Sequence, residues 1–433
     1  MEYVHIFGYI ALLLLVALLS TRLMRVLKLP NVTGYIITGI LMGPFAFGLF
    51  FNGFSFEGIE ASPVFQFVDR IKWVSTIALG FIAFSIGTSF RIPTLKAVGK
   101  KVITITVFES LFASLAVLGA LIVAHFISSD QVTWEIVLTL SAIAAATAPA
   151  ATLMVIKQYN ARGPLVDTLL PVVALDDASA LILFAILFQI ASTIASGNGQ
   201  FDVYRMVFKP LIEIVLSLGI GAVFGLLISL LNMWFKSRNN RLILCVFAVF
   251  AACGVYYLFK APWMGGFELS SLLMCMMIGA FYANMRKDSG KTLDVMDRFT
   301  SPIYLMFFVI SGASLDLRVF FNGSGPLVLL VGLTYIVFRV IGKWGGAFTG
   351  ASISRCEPKI KRYLGFALIP QAGVAIGLAT TASTLFGASP NEEVQRAGAL
   401  IIAIVLTSTL VYELVGPVVS KFALSKAGEI QMQ

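Results

Sequence analysis

Two adjacent carboxylic acids, Asp176 and Asp177, lie in the apolar stretch VVALDDASALILF, residues 172–184. On insertion scales an aspartate at the centre of a membrane helix costs about 2.5–3.5 kcal/mol, and this stretch carries two. Two neighbouring acids in a low-dielectric site cannot both ionise cheaply, so one of them should hold a proton near neutral pH. Their oxygens also suit a partly dehydrated Na⁺ or Li⁺. We therefore predict a site where a cation and a proton compete; the structural alternative is a static ion pair.

Two basic residues, Arg339 and Lys343, lie four positions apart in the apolar stretch YIVFRVIGKWGGAFTGA, which places both on one helix face. Lys343 is either a fixed counter-ion or a second proton store, because a buried lysine prefers neutrality unless an acid pairs with it. If a cation draws Asp176 away and Lys343 loses its proton, two protons exchange for one Na⁺ and transport is electrogenic. Arg339 cannot readily deprotonate, so we expect a static salt bridge, with Glu109 of VFESLFASL as its candidate partner.

The composition predicts an all-α, polytopic membrane protein. Of the 433 residues, 58% are hydrophobic and 12% charged, about half the charged fraction of a soluble domain. Apolar runs of about 20 residues alternate with short charged clusters. We predict 13 transmembrane helices, with approximate limits 5–27, 31–51, 68–89, 97–126, 134–157, 164–194, 207–234, 241–259, 266–285, 299–316, 326–351, 361–387 and 396–424.

The basic residues predict the orientation. With the N-terminus outside and the C-terminus cytoplasmic, most of the 31 Lys and Arg residues fall in cytoplasmic segments. The first apolar run is too long for a signal-peptide core and lacks a cleavage site, so we expect a retained helix. The predicted location is the inner cytoplasmic membrane, and the net charge of +9 reflects this bias rather than nucleic-acid binding.

Two of the predicted spans are interrupted. The fifth contains Thr147 and Pro149, and the twelfth contains Pro370, Gln371 and Gly373. Proline removes an amide donor and clashes with the preceding turn, so both helices should break near mid-membrane. Broken helices in corresponding positions indicate inverted repeats whose crossing point forms the ion site. Thr147 is expected either to ligate the ion or to bond freed backbone, and Gln371 chiefly to bond freed backbone.

With these residues in order, the chain resembles the monovalent cation/proton antiporters of the second cation/proton antiporter group, which share the sodium/proton antiporter fold. The segments that carry the resemblance are LPNVTGYIITGILMGPFAFGLF, TAPAATL, ALDDA, FRVIGKWGGA and IPQAGVAIGLA. The resemblance implies that Asp177 carries the cation and the proton, that Asp176 pairs with Lys343 when the cation is absent, and that Thr147 lies near the ion. It also implies a homodimer. Some potassium-efflux relatives carry a nucleotide-binding domain; none is expected within this sequence.

The function predicted on these grounds is exchange of Na⁺ (or Li⁺) for H⁺ by alternating access. The alternatives are K⁺/H⁺ exchange, a sodium-coupled symporter of an organic solute, and a channel or sensor that has lost exchange. No cofactor is expected, and no hydrolase, redox or nucleotide-binding motif indicates an enzyme. We assign ion transport to residues 97–194 and 326–424, and scaffold and dimerisation to residues 5–89 and 207–316. The four cysteines have no metal-ligand spacing, and we interpret the three that lie in apolar runs, Cys245, Cys253 and Cys275, as packing residues.

Overall fold

The computed structural model describes most of the chain as helix. The described residues are 2–51, 62–88, 90, 92–128, 131–196, 208–235, 237–260, 269–285, 289–314 and 325–430. Within these ranges there is no β-strand, in agreement with the predicted all-α class. The helices, in chain order, are α1 (Glu2–Val26), α2 (Asn31–Met42), α3 (Phe47–Phe51), α4 (Pro63–Arg70), α5 (Lys72–Gly87), α6 (Ile92–Ile127), α7 (Trp134–Ile143), α8 (Pro149–Gln158), α9 (Pro164–Ser196), α10 (Lys209–Trp234), α11 (Arg238–Lys260), α12 (Ser271–Met285), α13 (Ser289–Ala313), α14 (Gly325–Ile353), α15 (Pro358–Ala367), α16 (Gly373–Gly387) and α17 (Glu392–Lys426).

Each predicted span overlaps at least one of these helices, and several spans divide. Eight helical segments in the described part of the chain are long and apolar enough to cross a membrane. The predicted second span is two helices, α2 and α3, because Gly43 and Pro44 interrupt it. The predicted third span is likewise two, α4 and α5, separated at Ile71. The polytopic all-helical class is therefore confirmed, and the total of 13 spans stays a prediction.

The two interruptions predicted from proline fall where the sequence placed them. The predicted fifth span is α7 and α8, separated by residues 144–148, and α8 begins at Pro149. The predicted twelfth span is α15 and α16, separated by residues 368–372, and α16 begins at Gly373. Each broken pair stands between two long helices, α6 and α9 in one case and α14 and α17 in the other. This is the arrangement expected of two repeats.

The chain divides into two compact units. The first consists of Met1–Ala97 and Ile212–Leu315, and the second of Val98–Leu211 and Asp316–Gln433. The second unit contains both broken helices and the four long helices that flank them. Its interior joins buried apolar side chains of α7, α9, α16 and α17, among them Leu140, Phe188, Phe386 and Ile401. The assignment of ion transport to this unit, and of dimerisation to the first, stays a prediction.

Candidate functional site

The site lies entirely within the second unit, and the close approach of α6 and α14 builds its first part. Glycines 342, 346 and 350 of α14 lie against the backbone of α6: a Cβ added at Gly346 would lie 2.5 Å from Cα of Glu109. At Gly342 the corresponding distance is 2.6 Å to the carbonyl oxygen of Phe112. Because only glycine permits such an approach, the stripe lets the two helices touch. The contact brings Lys343 of α14 beside Glu109 of α6.

Lys343 is the centre of a buried charge cluster. Its Nζ lies 2.6 Å from Oε2 of Glu109 and donates to Oδ2 of Asp176 at 2.9 Å. A second hydrogen bond runs from Nζ to the carbonyl oxygen of Ala145, in the first helix break. Lys343, Glu109 and Asp176 are all fully buried. An ammonium group has three donors, and here each has an oxygen within reach. Lys343 is therefore held by two carboxylates and one freed backbone carbonyl.

Two serines that the sequence analysis did not identify hold the other oxygen of Asp176. The Ser110 hydroxyl lies 2.9 Å from Oδ1 of Asp176 and 2.7 Å from the hydroxyl of Ser179. Ser179 also lies 3.2 Å from the same Oδ1 and donates to the Asp176 carbonyl at 2.9 Å. The sequence carried a signal for both, since Ser110 follows Glu109 and Ser179 lies one helical turn after Asp176. Asp176 thus has a partner on each carboxylate oxygen.

Asp177 has a different environment from its neighbour. The residue is 5% exposed. Among the residues that the structure describes, its Oδ1 is buried and accepts no hydrogen bond. A buried carboxylate oxygen without a hydrogen-bond donor is energetically unfavourable, and binding of a proton or a cation would remove that cost. The structure therefore distinguishes the two acids: Asp176 is tied by Lys343 and two serines, and Asp177 keeps an oxygen available.

The two helix breaks meet each other, as the prediction of crossing broken helices requires. The amide of Ala148 donates to the carbonyl oxygen of Pro370 at 2.8 Å. The buried Thr147 hydroxyl lies 3.4 Å from the carbonyl oxygen of Leu368 and also interacts with the Asp176 carboxylate. Thr147 therefore contacts freed backbone and Asp176, and the two roles considered for it stay open.

Arg339 is not placed as predicted, and the proposed Arg339–Glu109 salt bridge is wrong. Glu109 pairs with Lys343, whereas the fully buried guanidinium donates to three backbone carbonyls. Nε bonds Ala144 at 3.0 Å, Nη1 bonds Ile369 at 2.7 Å and Nη2 bonds Ala146 at 2.6 Å. These carbonyls follow the C-terminal ends of α7 and α15, where the helix dipole is negative. The planar fork of the guanidinium suits several carbonyls at once, whereas the lysine one turn away holds the acids.

Gln371 completes the hydrogen bonding at the breaks. It is fully buried, and its Nε2 donates to the carbonyl oxygens of Ile143 at 3.0 Å and Ala146 at 3.4 Å. The Tyr335 hydroxyl lies 3.1 Å from its Oε1. Gln371 thus bonds freed backbone, as expected, although the carbonyls belong to the other break. Its contacts show how the second break stabilises the first.

The charges and oxygen atoms of this site determine which ions it can bind. The positive charge of Arg339 offsets the freed carbonyls, and that of Lys343 offsets the carboxylates of Glu109 and Asp176. The remaining acid, Asp177, is adjacent in sequence to Asp176, whose carboxylate pairs with Lys343. The described oxygen atoms suit a hard monovalent cation, and the acids suit a proton. No group of three or more His, Cys, Asp or Glu in the described ranges could hold a resident metal ion.

Comparison with known proteins gives a consistent result. The family model described as "Sodium/hydrogen exchanger, transmembrane" matches residues 10–421. Sodium/hydrogen exchanger 7 of Arabidopsis thaliana is 23% identical over 312 residues, which are 70% of this chain and 26% of that protein. The chain therefore spans about a quarter of the length of this curated relative.

Two solved structures of the sodium proton antiporter MjNhaP1 from Methanocaldococcus jannaschii share the fold. The structure at pH 8 has a TM-score of 0.66 and 19% sequence identity, with 98% of this chain and 99% of that chain covered. The electron-microscopy structure has a TM-score of 0.72 and 19% identity, with both chains covered completely. At this identity the likeness shows the fold alone.

Proposed function

The chain belongs to the sodium/hydrogen exchanger family, and on that premise we propose that it exchanges Na⁺ (or Li⁺) for H⁺ across a membrane. The observation that supports the proposal most is the contrast between the two acids. Asp176 has a partner on both oxygens, and Asp177 beside it has a buried oxygen with no donor in the described structure. A proton on Asp177 and a cation bound to it are alternative ways to neutralise the same carboxylate.

We propose that the cation binds Asp177 together with Asp176, with the hydroxyl of Thr147 and a freed carbonyl as further oxygen ligands. When the cation leaves, Asp177 takes a proton and Asp176 remains with Lys343. A buried site that is charged and empty is unfavourable, so it changes its exposure only when a cation or a proton occupies it. This requirement couples the two fluxes, and the broken helices provide the element that opens alternately to each side.

The stoichiometry depends on Lys343. The electrogenic exchange predicted from the sequence requires that the lysine release its proton when Asp176 moves to the cation. In the structure Glu109 also contacts Lys343, so the lysine keeps one carboxylate partner after such a movement. Electrogenic exchange therefore stays a prediction, tested by current measurement on a solid-supported membrane. A sodium jump that gives proton transport without current contradicts it.

Two competing functions of the same fold remain open. The paired carboxylates favour a small hard cation, and K⁺/H⁺ exchange is the alternative that shares every described contact. A sodium-coupled organic solute symporter would need a polar or cationic pocket for its cargo, whereas Arg339 and Lys343 are already engaged with carbonyls and carboxylates. The inner-membrane location, the outside N-terminus and the homodimer also stay predictions.

The direct test uses proteoliposomes with an acidic interior and an entrapped pH dye. Addition of external Na⁺ or Li⁺ should raise the internal pH, and K⁺ should have a much smaller effect. Asp177→Asn keeps the side-chain volume and should abolish the response. Glu392→Ala, which removes an exposed acid in the first turn of α17, is the control and should retain it. Full activity of Asp177→Asn, or proton movement that requires an organic solute, contradicts the proposal.

A further inference from the structure

The N-terminus of α9, the helix that carries Asp176 and Asp177, has no capping side chain at the residue that precedes it. The residue before α9 is Gly163, which has no side chain that accepts hydrogen bonds from the first turn. Its φ of +154° also disfavours replacement by a residue that would bring one. Pro164 has no amide hydrogen, but the amides of Leu165 and Val166 still need acceptors. A cap for α9 must therefore come from elsewhere in the chain.

Glu429, in the segment that follows α17, supplies that cap. Its Oε1 accepts from the Leu165 amide at 2.7 Å and its Oε2 from the Val166 amide at 2.9 Å. Glu429 as a whole is 7% exposed, so both bonds lie away from bulk water. A carboxylate at a helix N-terminus gains from the amides and from the positive end of the dipole. Such charge-assisted bonds are stronger than neutral ones.

The backbone around Glu429 is shaped for this contact. The amide of Arg162 donates to the Glu429 carbonyl at 3.1 Å, and the Glu429 amide donates to Leu424 at 3.0 Å. Gly428 has a φ of +77°, a left-handed conformation that turns the chain back after α17. A Cβ at Gly163 would lie 2.4 Å from the carboxyl carbon of Glu429. The carboxylate thus occupies space that only a glycine leaves open.

We propose that Glu429 is a positioning residue for ion exchange: it fixes α9, which carries Asp176 and Asp177, against α17. The contact joins the first broken-helix group of the second unit, α6 to α9, to the second, α14 to α17, and α17 also packs against α14, which carries Lys343. Asp177 lies twelve residues beyond Leu165, about 18 Å along the helix. A slip of α9 at its start would shift the acids relative to Lys343. This inference rests on the proposed function, and it adds a residue remote from the ion.

The test compares the wild type with Glu429→Ala, Glu429→Gln and the control Glu392→Ala. Amide hydrogen exchange is followed for two peptides, residues 164–170 and residues 172–180. Both Glu429 variants should exchange faster in the first peptide and also in the second, and the control should match the wild type. In proteoliposomes the apparent KM for Na⁺ should change by roughly three- to tenfold in both variants, with a smaller change in maximal rate.

A chemical rescue separates positioning from a general loss of folding. Glu429→Ala leaves an anion-shaped space at the start of α9, so acetate should restore the slow amide exchange and the KM, whereas the same concentration of chloride should not. Gly163→Ala should be at least as damaging as Glu429→Ala, because its methyl group displaces the carboxylate and its positive φ strains the backbone. Combining the two should add little, since both remove one contact.

The outcomes that overturn the inference are distinct from those that overturn the function. Unchanged amide exchange at residues 164–170 shows that Glu429 does not cap α9. Faster exchange confined to that peptide, with unchanged KM, shows a local cap without a positioning role. If the wild type transports no protons with Na⁺, the proposed function fails, and exchange at residues 172–180 still decides whether the cap reaches the acids.

Discussion

Replacement of Lys343 by methionine is the sharpest test of the charge cluster. The substitution keeps a long unbranched side chain and removes the ammonium group. Two carboxylates, Glu109 at 2.6 Å and Asp176 at 2.9 Å, then lose their shared cation within a fully buried site. The carbonyl of Ala145 loses its donor as well. Removing one partner of a buried ion pair typically costs about 3–5 kcal/mol, because it leaves an uncompensated charge.

Comparison with Glu109→Gln shows how much of the destabilisation by Lys343→Met comes from the contact with Glu109. The Glu109→Gln variant leaves Lys343 with Asp176 and the Ala145 carbonyl and replaces the ionic contact with Glu109 by a neutral one, so we expect a loss of about 1.5–3 kcal/mol. In the double variant Lys343→Met/Glu109→Gln, a neutral glutamine replaces Glu109, so only the Asp176 carboxylate loses its cation. The double variant should therefore be more stable than the sum of the single changes predicts, by about 1–3 kcal/mol.

The assay is unfolding of the purified protein in detergent, followed by fluorescence against temperature and denaturant. Lys101→Met, an exposed lysine on α6, is the matched control and should change stability by less than about 0.5 kcal/mol. The reasoning fails if Lys343→Met is no more destabilising than Lys101→Met. It also fails if the effects of Lys343→Met and Glu109→Gln simply add, since additivity means that the two side chains are not coupled.

Two further predictions concern residues around the acids. Arg339→Gln removes the cation from three freed carbonyls and should destabilise the protein by about 3–5 kcal/mol. Arg339→Lys should recover only part of that loss, because an ammonium group lacks the planar fork of the guanidinium. Thermal unfolding measures both variants, and equal stability of Arg339→Gln and the wild type contradicts the assignment. Ser110→Ala removes a hydroxyl that reaches Asp176 at 2.9 Å. It should lower stability by about 1 kcal/mol and change the apparent KM for Na⁺ severalfold. The control is Thr104→Val, which removes a half-buried hydroxyl of α6 that bonds the Lys100 carbonyl, and it should not change the KM.

The sequence was informative about which groups are buried. Charged residues in apolar runs are rare enough that Asp176, Asp177, Arg339, Lys343 and Glu109 could be selected without a structure. The helix breaks were equally accessible, because proline and glycine act on the backbone next to them. Helix boundaries were predicted less well, since α13 begins at Ser289, ten residues before the predicted span, in a polar segment without hydropathy signal.

The sequence did not indicate which partner each charged group contacts. Spacing of four residues places Arg339 and Lys343 on one helix face, but it does not say which of them meets Glu109. That choice depends on the glycine stripe of α14, which sets the register against α6. The serines on Asp176 and the cap from Glu429 likewise depend on contacts between residues far apart in the chain. Tertiary packing decides such pairs, and local pattern does not.

The most direct test of the central idea, a carboxylate seat shared by a cation and a proton, is proton release on cation binding. Purified protein in weakly buffered detergent solution receives NaCl while a dye reports pH. The wild type should release protons, to an extent that falls as Na⁺ is replaced by choline. Asp177→Asn should release none, and Glu392→Ala should match the wild type. Undiminished release from Asp177→Asn, or no release from a wild type that binds Na⁺, contradicts the account.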